Sequence, residues 1–233
     1  MDEGITREER VLEVARRQLG EVGPASLSLR AIAREIGVVP SALYRYYSGR
    51  DAILTGLITT GYDRLGESVE QAEGTCSREA LLDRWIATWV ATRTWAVSHP
   101  HEYALLYGTP VVGYVAPPET AGPATRVVVT LARIALGSAD FMASETTVHR
   151  PPGAATRADA DRIRASLPSL GLPAAPDAPD QAVLGTIEAW TTLFGAVSFE
   201  LFGHYVGSIQ NPAEHLVYLA HTTASRLGIR NAD

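Results

Sequence analysis

The sequence contains no lysine and only one cysteine, Cys76, among its 233 residues. A single cysteine excludes a disulfide within the chain, and this scarcity is typical of a protein in a reducing cytosol. All 20 basic residues are arginines. Because arginine also occurs throughout the acidic C-terminal part, we attribute the absence of lysine to genome composition rather than to phosphate recognition at every site.

The sequence also shows no recognisable targeting signal or membrane-spanning segment. No apolar leader, no twin-arginine signal and no stretch that approaches the apolar length of a membrane span is visible. We therefore expect a soluble, cytoplasmic protein with no membrane partner. Apolar residues make up 46% of the chain, which is enough for a buried core and argues against disorder. The length suits one large domain or two small ones.

The short motifs of common hydrolytic enzymes are absent. The chain has no HExxH, no GxSxG and no cluster of cysteines. His99, His101 and His149 are dispersed along the chain. His99 and His101 flank Pro100 and could bind a metal in principle, but a histidine at a helix end usually lies on the surface. We predict that the protein is not an enzyme and has no metal site and no cofactor.

What the chain does contain is a pattern of two short helices between Ser28 and Tyr47. Ser28 is a good N-cap, Gly37 stands where a left-handed residue ends a helix, and Pro40 can open the next helix at its first position. The first helix has apolar residues at i, i+3, i+4 and i+7, which are Leu29, Ile32, Ala33 and Ile36. Two helices joined by such a turn form a helix-turn-helix, whose second helix fits the DNA major groove.

The outward-facing side chains separate this motif from an ordinary helical hairpin. A hairpin inside an all-helical core would explain the apolar spacing equally well. It would not explain arginine and tyrosine on the outer faces, because guanidinium and phenol groups bind phosphates and arginine can also read guanine. These residues are Arg30 and Arg34 on the first helix, Tyr44, Arg45 and Tyr46 on the second, and Arg50 after it.

The net charge of −6 is unevenly distributed along the chain. Residues 1–50 carry eight arginines and seven acidic residues, whereas the remainder carries twelve arginines and nineteen acidic residues. A nearly neutral N-terminal segment on an acidic body is compatible with local, oriented DNA binding. It argues against a protein that coats nucleic acid nonspecifically.

The helix-turn-helix resembles the DNA-binding motif of the TetR (tetracycline-repressor-like) transcriptional regulators. The likeness covers roughly residues 6–55 and is specific, because many positions match at fixed spacing. The matching positions are Ile32-Ala33, Gly37-Val38, Leu43-Tyr44-x-Tyr46-Tyr47 and Arg50-Asp51-x-x-Leu54, preceded by Val11, Ala15, Leu19 and Gly23. The chain departs from the pattern at Val39, where the family usually has a capping Ser or Thr, and at Arg50, where it usually has Lys.

The resemblance implies an all-α fold with two domains. Residues 1–50 would form an N-terminal three-helix helix-turn-helix DNA-binding domain, and residues 51–233 a larger C-terminal helical domain for ligand binding and dimerisation. In this family the last two helices pair with their copies as a four-helix bundle. The corresponding segments here, about 181–203 and 212–228, are apolar over more than half their circumference. A second subunit would cover that surplus, so we expect a homodimer through these two helices.

The predicted DNA site consists of residues on and around the two short helices. Arg30 is the best candidate for reading a guanine. Phosphate contacts are expected from Ser28, Tyr44, Arg45, Tyr46 and Arg50. Apolar contacts to thymine methyl groups are expected from Pro40, Ser41 and Ala42. A dimer would place two such motifs on a palindromic double-stranded DNA operator.

The predicted ligand site is a set of aromatic residues in the C-terminal part. Pockets are lined by apolar and aromatic surface with a few polar groups, although any one of these residues could equally be core. The set is Trp85, Trp89, Trp95, Tyr103, Tyr107, Tyr114, Phe141, Trp190 and Phe194. The resemblance implies an inducer pocket among the central helices, and the low charge of the set indicates a hydrophobic or aromatic small-molecule effector.

The sequence thus predicts a ligand-responsive, DNA-binding transcriptional regulator that is released from its operator by the effector. Repression rather than activation is the family's usual mode. The alternative is a helical carrier or sensor of small molecules without a role at DNA. That alternative leaves the exposed Arg30, Tyr44, Arg45 and Tyr46 unexplained.

Overall fold

The structure, a computed structural model, describes residues 6–138 and 152–231. No β-strand occurs in these two ranges, so the predicted all-α class is confirmed. Short 3₁₀ turns at Pro24–Ser26, Pro118–Thr120 and Leu167–Leu170 connect some of the helices. The helices are α1 (Arg7–Val22), α2 (Leu29–Glu35), α3 (Pro40–Leu43), α4 (Arg50–Gly74), α5 (Leu81–Ser98), α6 (Pro100–Tyr107), α7 (Ala121–Ala124), α8 (Arg126–Leu136), α9 (Ala154–Ser166), α10 (Asp180–Leu201) and α11 (Pro212–Arg226).

Local capping signals fix several helix ends as predicted. At α1, the Thr6 hydroxyl accepts from the backbone N–H of Glu9, and the Glu9 carboxylate accepts from the backbone N–H of Thr6, which together form a capping box. The hydrogen bonds that the Glu9 carboxylate accepts from the Thr6 backbone N–H and the Thr6 hydroxyl lower the pKa of Glu9. Gly23 ends α1 with a φ of 74°. Asn211 caps α11, where Pro212 takes the first position.

The described helices fall into two compact units. The N-terminal unit consists of the chain up to Arg64 together with Ala96–Ala124. Its core joins the apolar faces of α1 and α2 to Leu43 and the first half of α4, and Leu105, Val111 and Tyr114 pack against that core. The predicted boundary at residue 50 therefore differs from this division, because a segment distant in sequence completes the core around the helix-turn-helix.

The C-terminal unit consists of Leu65–Trp95 and the chain from Thr125 onward. Within it α10 packs against α8, α9 and α11. The side chains of Trp85, Trp89, Leu131, Ile134 and Leu193 are buried completely or nearly so. This unit also contains Arg84, Arg93, Arg126, Arg164 and Arg226 in ion pairs with acidic residues of the same unit.

Helix α5 begins later than the sequence indicates. In the sequence, Ser77 follows the break at Glu73-Gly74 and has the chemistry of an N-cap, so a helix is expected to begin there, but the helix starts at Leu81. The Asn231 side chain accepts hydrogen bonds from the backbone N–H groups of Leu82 at 3.0 Å and Asp83 at 3.3 Å. A residue near the C-terminus therefore supplies the cap that Ser77 was expected to give, and this partner is invisible to a local reading of the sequence.

Helices α9 and α10 correct two further expectations. The predicted helix at 158–167 is longer and runs from Ala154 to Ser166. The statement that no stretch approaches a membrane span is wrong for α10, which is long and apolar enough by length and composition alone. Almost half of its most apolar window is buried inside the protein, and Glu188 and Glu200 on it form ion pairs with Arg226 and Arg93.

Candidate nucleic-acid interface and apolar cavity

The helix-turn-helix forms with the caps expected for it. The Ser28 hydroxyl accepts a hydrogen bond from the backbone N–H of Ala31 at 3.3 Å. After α2, Gly37 adopts a φ of 74°, a left-handed conformation that favours glycine, and the Val38 N–H returns to the Ala33 carbonyl at 2.9 Å. Val39 precedes α3 without a side-chain cap, as its chemistry requires. These local features turn the chain between the two short helices.

The second helix of the motif is shorter than predicted. Regular α-helix covers only Pro40–Leu43, and the next residues form a turn in which the N–H groups of Tyr46 and Tyr47 bond to the Leu43 carbonyl. The missing cap at Val39 leaves the free N–H groups at this end without a side-chain partner. The turn nevertheless continues the outward presentation of Tyr44 and Tyr46.

The residues predicted to contact DNA lie largely on the surface. Arg30, Pro40, Ser41, Tyr44, Arg45 and Tyr46 are exposed, whereas Ser28 and Ala42 are half-buried. Tyr44 exposes 58% of its surface and Tyr46 37%, which are high values for aromatic side chains and exclude a core role. The alternative of a hairpin buried in a helical core is therefore wrong.

Three arginines of this surface are free to bind a partner. Arg30, Arg34 and Arg45 form no ion pair and no side-chain hydrogen bond within the residues that the structure describes. Their neighbour Arg17 on α1, in contrast, pairs with Glu35. A group of exposed, unpaired guanidinium groups beside tyrosine hydroxyls is suited to the phosphates of a duplex.

Arg50 has a different place from the one predicted. Its guanidinium donates to the Pro24 carbonyl at 2.9 Å and lies 3.6 Å from the Asp51 carboxylate. Its Nε is buried and has no partner within the described residues. Arg50 thus joins the start of α4 to the turn after α1. This contact gives Arg50 a positioning role, while the expected phosphate contact stays a prediction for its remaining donors.

A buried carboxylate in the N-terminal unit was not anticipated from the sequence. Glu102 on α6 is only 6% exposed. Arg64 on α4 donates to both of its oxygens, at 2.8 and 2.9 Å, and Arg16 on α1 donates to one at 3.2 Å. Arg64 also contacts His99 at 3.0 Å. The three helices that surround the motif are therefore connected through one acidic side chain.

An apolar cavity of about 160 Å³ lies within the C-terminal unit. Its walls come from α8, α9, the 3₁₀ turn after α9, and α10. Ten of the lining residues are aliphatic and the other two carry hydroxyl groups. The lining residues are Val128, Val129, Ala132, Leu136, Ile163, Ser166, Leu167, Leu170, Leu172, Val183, Thr186 and Ile187.

The aromatic residues predicted to bind a ligand do not line this cavity. Trp85, Trp89, Trp95 and Tyr103 are at most 5% exposed and fill the interior of the two units. The Trp85 indole donates to the Ala220 carbonyl at 3.1 Å. Large aromatic side chains remove the most apolar area from water, which is a sufficient reason for their burial. These four residues contribute to the cores, and their assignment to a ligand site stays a prediction.

The remaining aromatic residues of the prediction are distributed between the units. Tyr107 packs on Tyr103 with ring centroids 5.1 Å apart, and burial raises its pKa. The Tyr114 hydroxyl is 2.9 Å from that of Thr55. Trp190 packs on Phe194 at 6.2 Å, and its indole N–H is buried without a partner in the described residues. Phe141 lies outside the described residues.

The outer faces of the last two helices expose large apolar side chains. Phe199 and Phe202 at the end of α10 are 51% and 43% exposed, and Tyr218 on α11 is 64% exposed. They belong to stripes of exposed residues at helical spacing, which are Glu188, Thr191, Gly195, Phe199 and Phe202 along α10 and Glu214, Tyr218, His221 and Ser225 along α11.

Comparison with known proteins identifies the family. Residues 11–57 match the model of bacterial regulatory proteins of the tetR family, and residues 85–222 match a tetracyclin repressor-like C-terminal domain. The chain belongs to the TetR family. It is 41% identical over 204 residues to the HTH-type transcriptional regulators Rv1816 of Mycobacterium tuberculosis and Mb1846 of Mycobacterium bovis, over 85% of this chain and 82% of each relative.

Solved structures with the same fold include other TetR regulators. The crystal structure of regulatory protein SCO4313 is similar with a TM-score of 0.70 at 27% identity, over 94% of this chain and 95% of that one. A TetR-family transcription regulator from Shewanella sp. PV-4 has a TM-score of 0.52 at 18% identity, over 98% and 100%. The second likeness shows the fold alone.

Membership of the TetR family confirms the predicted function class. The chain is a DNA-binding transcriptional regulator of the helix-turn-helix type and not an enzyme. A response to a small ligand is typical of the TetR family. The alternative of a carrier without a role at DNA is set aside by the match of residues 11–57 to the DNA-binding domain.

Proposed function

We propose that this TetR regulator is a cytoplasmic, homodimeric repressor that binds a palindromic operator and leaves it when a small apolar effector binds. The observation that carries the DNA part is the exposed, unpaired surface of Arg30, Tyr44, Arg45 and Tyr46. An arginine without an internal acidic partner pays no cost of breaking an ion pair when it meets a phosphate or a base. The repressing mode rests on the family's usual behaviour.

The reading of DNA is assigned to residues at the two short helices. Arg30, which is exposed, would read a guanine, and a bidentate contact would contribute about 1–3 kcal/mol of discrimination. Tyr44, Arg45 and Tyr46 would bind phosphates and fix the register of the motif on the duplex. Pro40, Ser41 and Ala42, at the start of α3, would contact thymine methyl groups. The Ser28 hydroxyl accepts from Ala31 and keeps its own hydrogen for a phosphate oxygen.

Dimerisation is assigned to the exposed faces of α10 and α11. Phe199, Phe202 and Tyr218 are large apolar groups that a monomer would leave in water. An isologous contact between two copies would bury them and would relate two helix-turn-helix motifs by a two-fold axis. The half-sites of the operator would then lie about one helical turn apart or somewhat more.

The effector is assigned to the apolar cavity between α8, α9 and α10. A ligand that binds one conformation better than another shifts the population toward it, by no more than its difference in affinity. Coupling between effector and DNA of about 1–3 kcal/mol is typical of such regulators. The cavity supports this role because its apolar walls surround a space large enough for a small molecule.

Fluorescence anisotropy with labelled duplexes from upstream of the gene tests the DNA part. We expect specific binding that weakens steeply with salt, because each phosphate contact releases counterions. Arg30→Ala should reduce specific affinity by about 1–3 kcal/mol and relax the sequence preference at one base pair of each half-site. Arg162→Ala is the matched control, because Arg162 is an exposed arginine on α9 of the other unit. Equal affinity of both variants for the operator would contradict the assignment of Arg30.

Analytical ultracentrifugation tests the dimer. Phe199→Glu places a charge in the proposed interface and should shift the protein to monomer, with a matching loss of affinity for the palindrome. Val112→Glu introduces the same charge at a residue that is 93% exposed in the N-terminal unit, and it should leave the dimer intact. A Phe199→Glu variant that sediments as the wild type does would refute this interface.

A further inference from the structure

The chemistry of the apolar cavity restricts what can occupy it. We propose that the cavity takes a neutral hydrocarbon group of about six carbon atoms, the size of the benzene that a cavity of ~150 Å³ accommodates, with at most one hydrogen-bond donor and no charge. Its role as the effector site rests on the function proposed above, but the class of ligand follows from the walls themselves.

The volume sets the size of the group. The space of about 160 Å³ matches the volume of one ring or a short branched chain. Left empty, a space of this size lowers the stability of the fold. All the aliphatic side chains in the walls are Val, Leu, Ile or Ala. Such walls interact with hydrocarbon through dispersion and the exclusion of water, and they offer no site for an ion.

The two hydroxyl groups in the walls have already donated their hydrogens. Thr186 Oγ1 donates to the Ala182 carbonyl at 3.1 Å, and Ser166 Oγ donates to the Ile163 carbonyl at 2.8 Å. Each oxygen keeps lone pairs and can still accept. A ligand hydroxyl or N–H could therefore donate to one of them, but a carboxylate would find no donor in these side chains.

Three arginines adjoin lining residues along the chain, and none of them lines the cavity. Arg133 next to Ala132 is exposed, and Arg162 pairs with Asp159. Arg164 follows Ile163 on α9, yet its guanidinium bonds to Asp180, to Asp161 at 2.7 Å and to the Ala178 carbonyl at 2.8 Å. Among the described residues, no charged side chain lines the cavity, which is partly open to solvent. An ionised group held against these walls would lose hydration without gaining a counter-charge, which is costly. The walls therefore favour a neutral group over an anionic or cationic one.

Three probes of equal chain length test the proposal on the full-length protein. We expect ligand-observed NMR titrations at neutral pH to show that 1-hexanol binds at least tenfold more tightly than hexanoate or hexylammonium. Ala132→Phe fills the cavity from α8 and should weaken 1-hexanol at least tenfold. Ala158→Phe adds the same ring at an exposed position of α9 and should leave binding unchanged. If Ala132→Phe does not fold, as judged by circular dichroism, Ile187→Phe fills the cavity from α10 instead.

The outcomes separate the ligand class from the effector role. Hexanoate binding as tightly as 1-hexanol, or 1-hexanol binding unchanged when the cavity is filled, would overturn the proposal. If 1-hexanol binds in the cavity but neither it nor larger neutral compounds release the operator, the ligand class stands and the effector role fails. If a compound releases the operator equally from the wild type and Ala132→Phe, the regulator is ligand-responsive but this cavity is not its effector site, so the effector role fails while the ligand class is decided by the binding titrations alone.

Discussion

Arginines of the helix-turn-helix and arginines of the C-terminal unit are used differently. On the outer face of the motif, Arg30, Arg34 and Arg45 have no partner within the described residues. In the C-terminal unit, Arg84, Arg93, Arg126, Arg162, Arg164 and Arg226 all form ion pairs. A chain without lysine must use one residue type for both purposes. An internal acidic partner therefore marks an arginine that is used within the structure. The lack of such a partner does not by itself mark an arginine available to DNA, because the exposed Arg78 and Arg157 of the C-terminal unit form no ion pair within the described residues either.

The N-terminal unit contains both kinds of arginine a few residues apart. Arg16 bonds to the buried Glu102, and Arg17 pairs with Glu35, whereas Arg30 on the next helix is free. Arg50 is engaged by the Pro24 carbonyl. Net charge along the sequence cannot reveal this division, because it counts paired and unpaired groups alike.

The largest effect is expected at Glu102. Glu102→Gln removes the charge that two arginines share, and breaking a buried ion pair leaves uncompensated charge behind. Because Arg16 and Arg64 expose about a third of their side chains and can rehydrate in part, we expect a loss of about 3 kcal/mol in the free energy of unfolding. Urea denaturation measures it. A loss below about 0.5 kcal/mol, the level of an ordinary surface substitution, would contradict the structural role.

A smaller loss is expected at Glu73 in the C-terminal unit. Glu73 accepts from Arg84 Nε at 2.6 Å, and both side chains are 13% exposed. Glu73→Gln should cost about 2 kcal/mol, less than Glu102→Gln, because only one arginine loses its partner and Arg84 also donates to the Arg78 carbonyl. Glu188→Gln is the control, since its pair with Arg226 is more than half exposed and should contribute under about 1 kcal/mol. If Glu73→Gln and Glu188→Gln lose the same free energy of unfolding, burial does not determine the strength of these ion pairs.

Arg45→Ala tests an exposed arginine that has no ion pair within the described residues, and it should affect DNA binding alone. An unpaired exposed arginine contributes little to folding, so the stability should change by no more than about 0.5 kcal/mol. Removal of one phosphate contact should lower the slope of log affinity against log salt by about one and weaken all sequences similarly. Anisotropy titrations at several salt concentrations measure the slope. An unchanged slope would place Arg45 away from the phosphates.

Sequence reasoning succeeded where the determining interaction is local. Several predicted features depend on residues within a few positions along the chain. They are the caps at Thr6, Ser28 and Asn211, the left-handed Gly37 and the helix Arg126–Leu136. The exposure of Tyr44 and Tyr46 followed from helical period alone. Period and capping are properties of short segments, which a single sequence displays in full.

Sequence reasoning failed where the partner is distant. Asn231 accepts from the N–H of Leu82, 149 positions earlier, and Glu102 bonds to Arg16 across 86 positions. The ligand prediction selected aromatic residues, of which Trp85, Trp89, Trp95 and Tyr103 are buried in the cores. The apolar cavity is lined by aliphatic and hydroxyl-bearing residues of α8, α9, the 3₁₀ turn and α10, none of which the prediction had selected. These residues resemble any helical core in sequence, so only their incomplete packing reveals the space.

The smallest effect, and one that depends on pH, is expected at the pair of Glu70 and Arg126. The hydrogen bonds from Arg126, at 2.9 and 2.8 Å, lower the pKa of the Glu70 carboxyl from its ordinary value of 4.5. The pair's contribution is therefore complete above that ordinary value and is lost as the pH falls through the lowered pKa of the folded state. With 42% of the Glu70 side chain exposed, it should not exceed about 1 kcal/mol.

Unfolding of the wild type and Glu70→Gln at about pH 6 and about pH 3 measures this dependence, because the ordinary carboxyl pKa of 4.5, which applies to the unfolded state, lies between these values. The difference in stability should be present at the higher pH and shrink at the lower one. Gly66→Ala is the second test, since the Arg126 side chain occupies the space that a Cβ at Gly66 would need. That variant should displace Arg126 and show the same weakened pH dependence as Glu70→Gln. If the stability of the wild type and of both variants changes with pH in parallel, the exposed pair of Glu70 and Arg126 contributes nothing to folding. In that case only the buried ion pairs of arginine stabilise the protein.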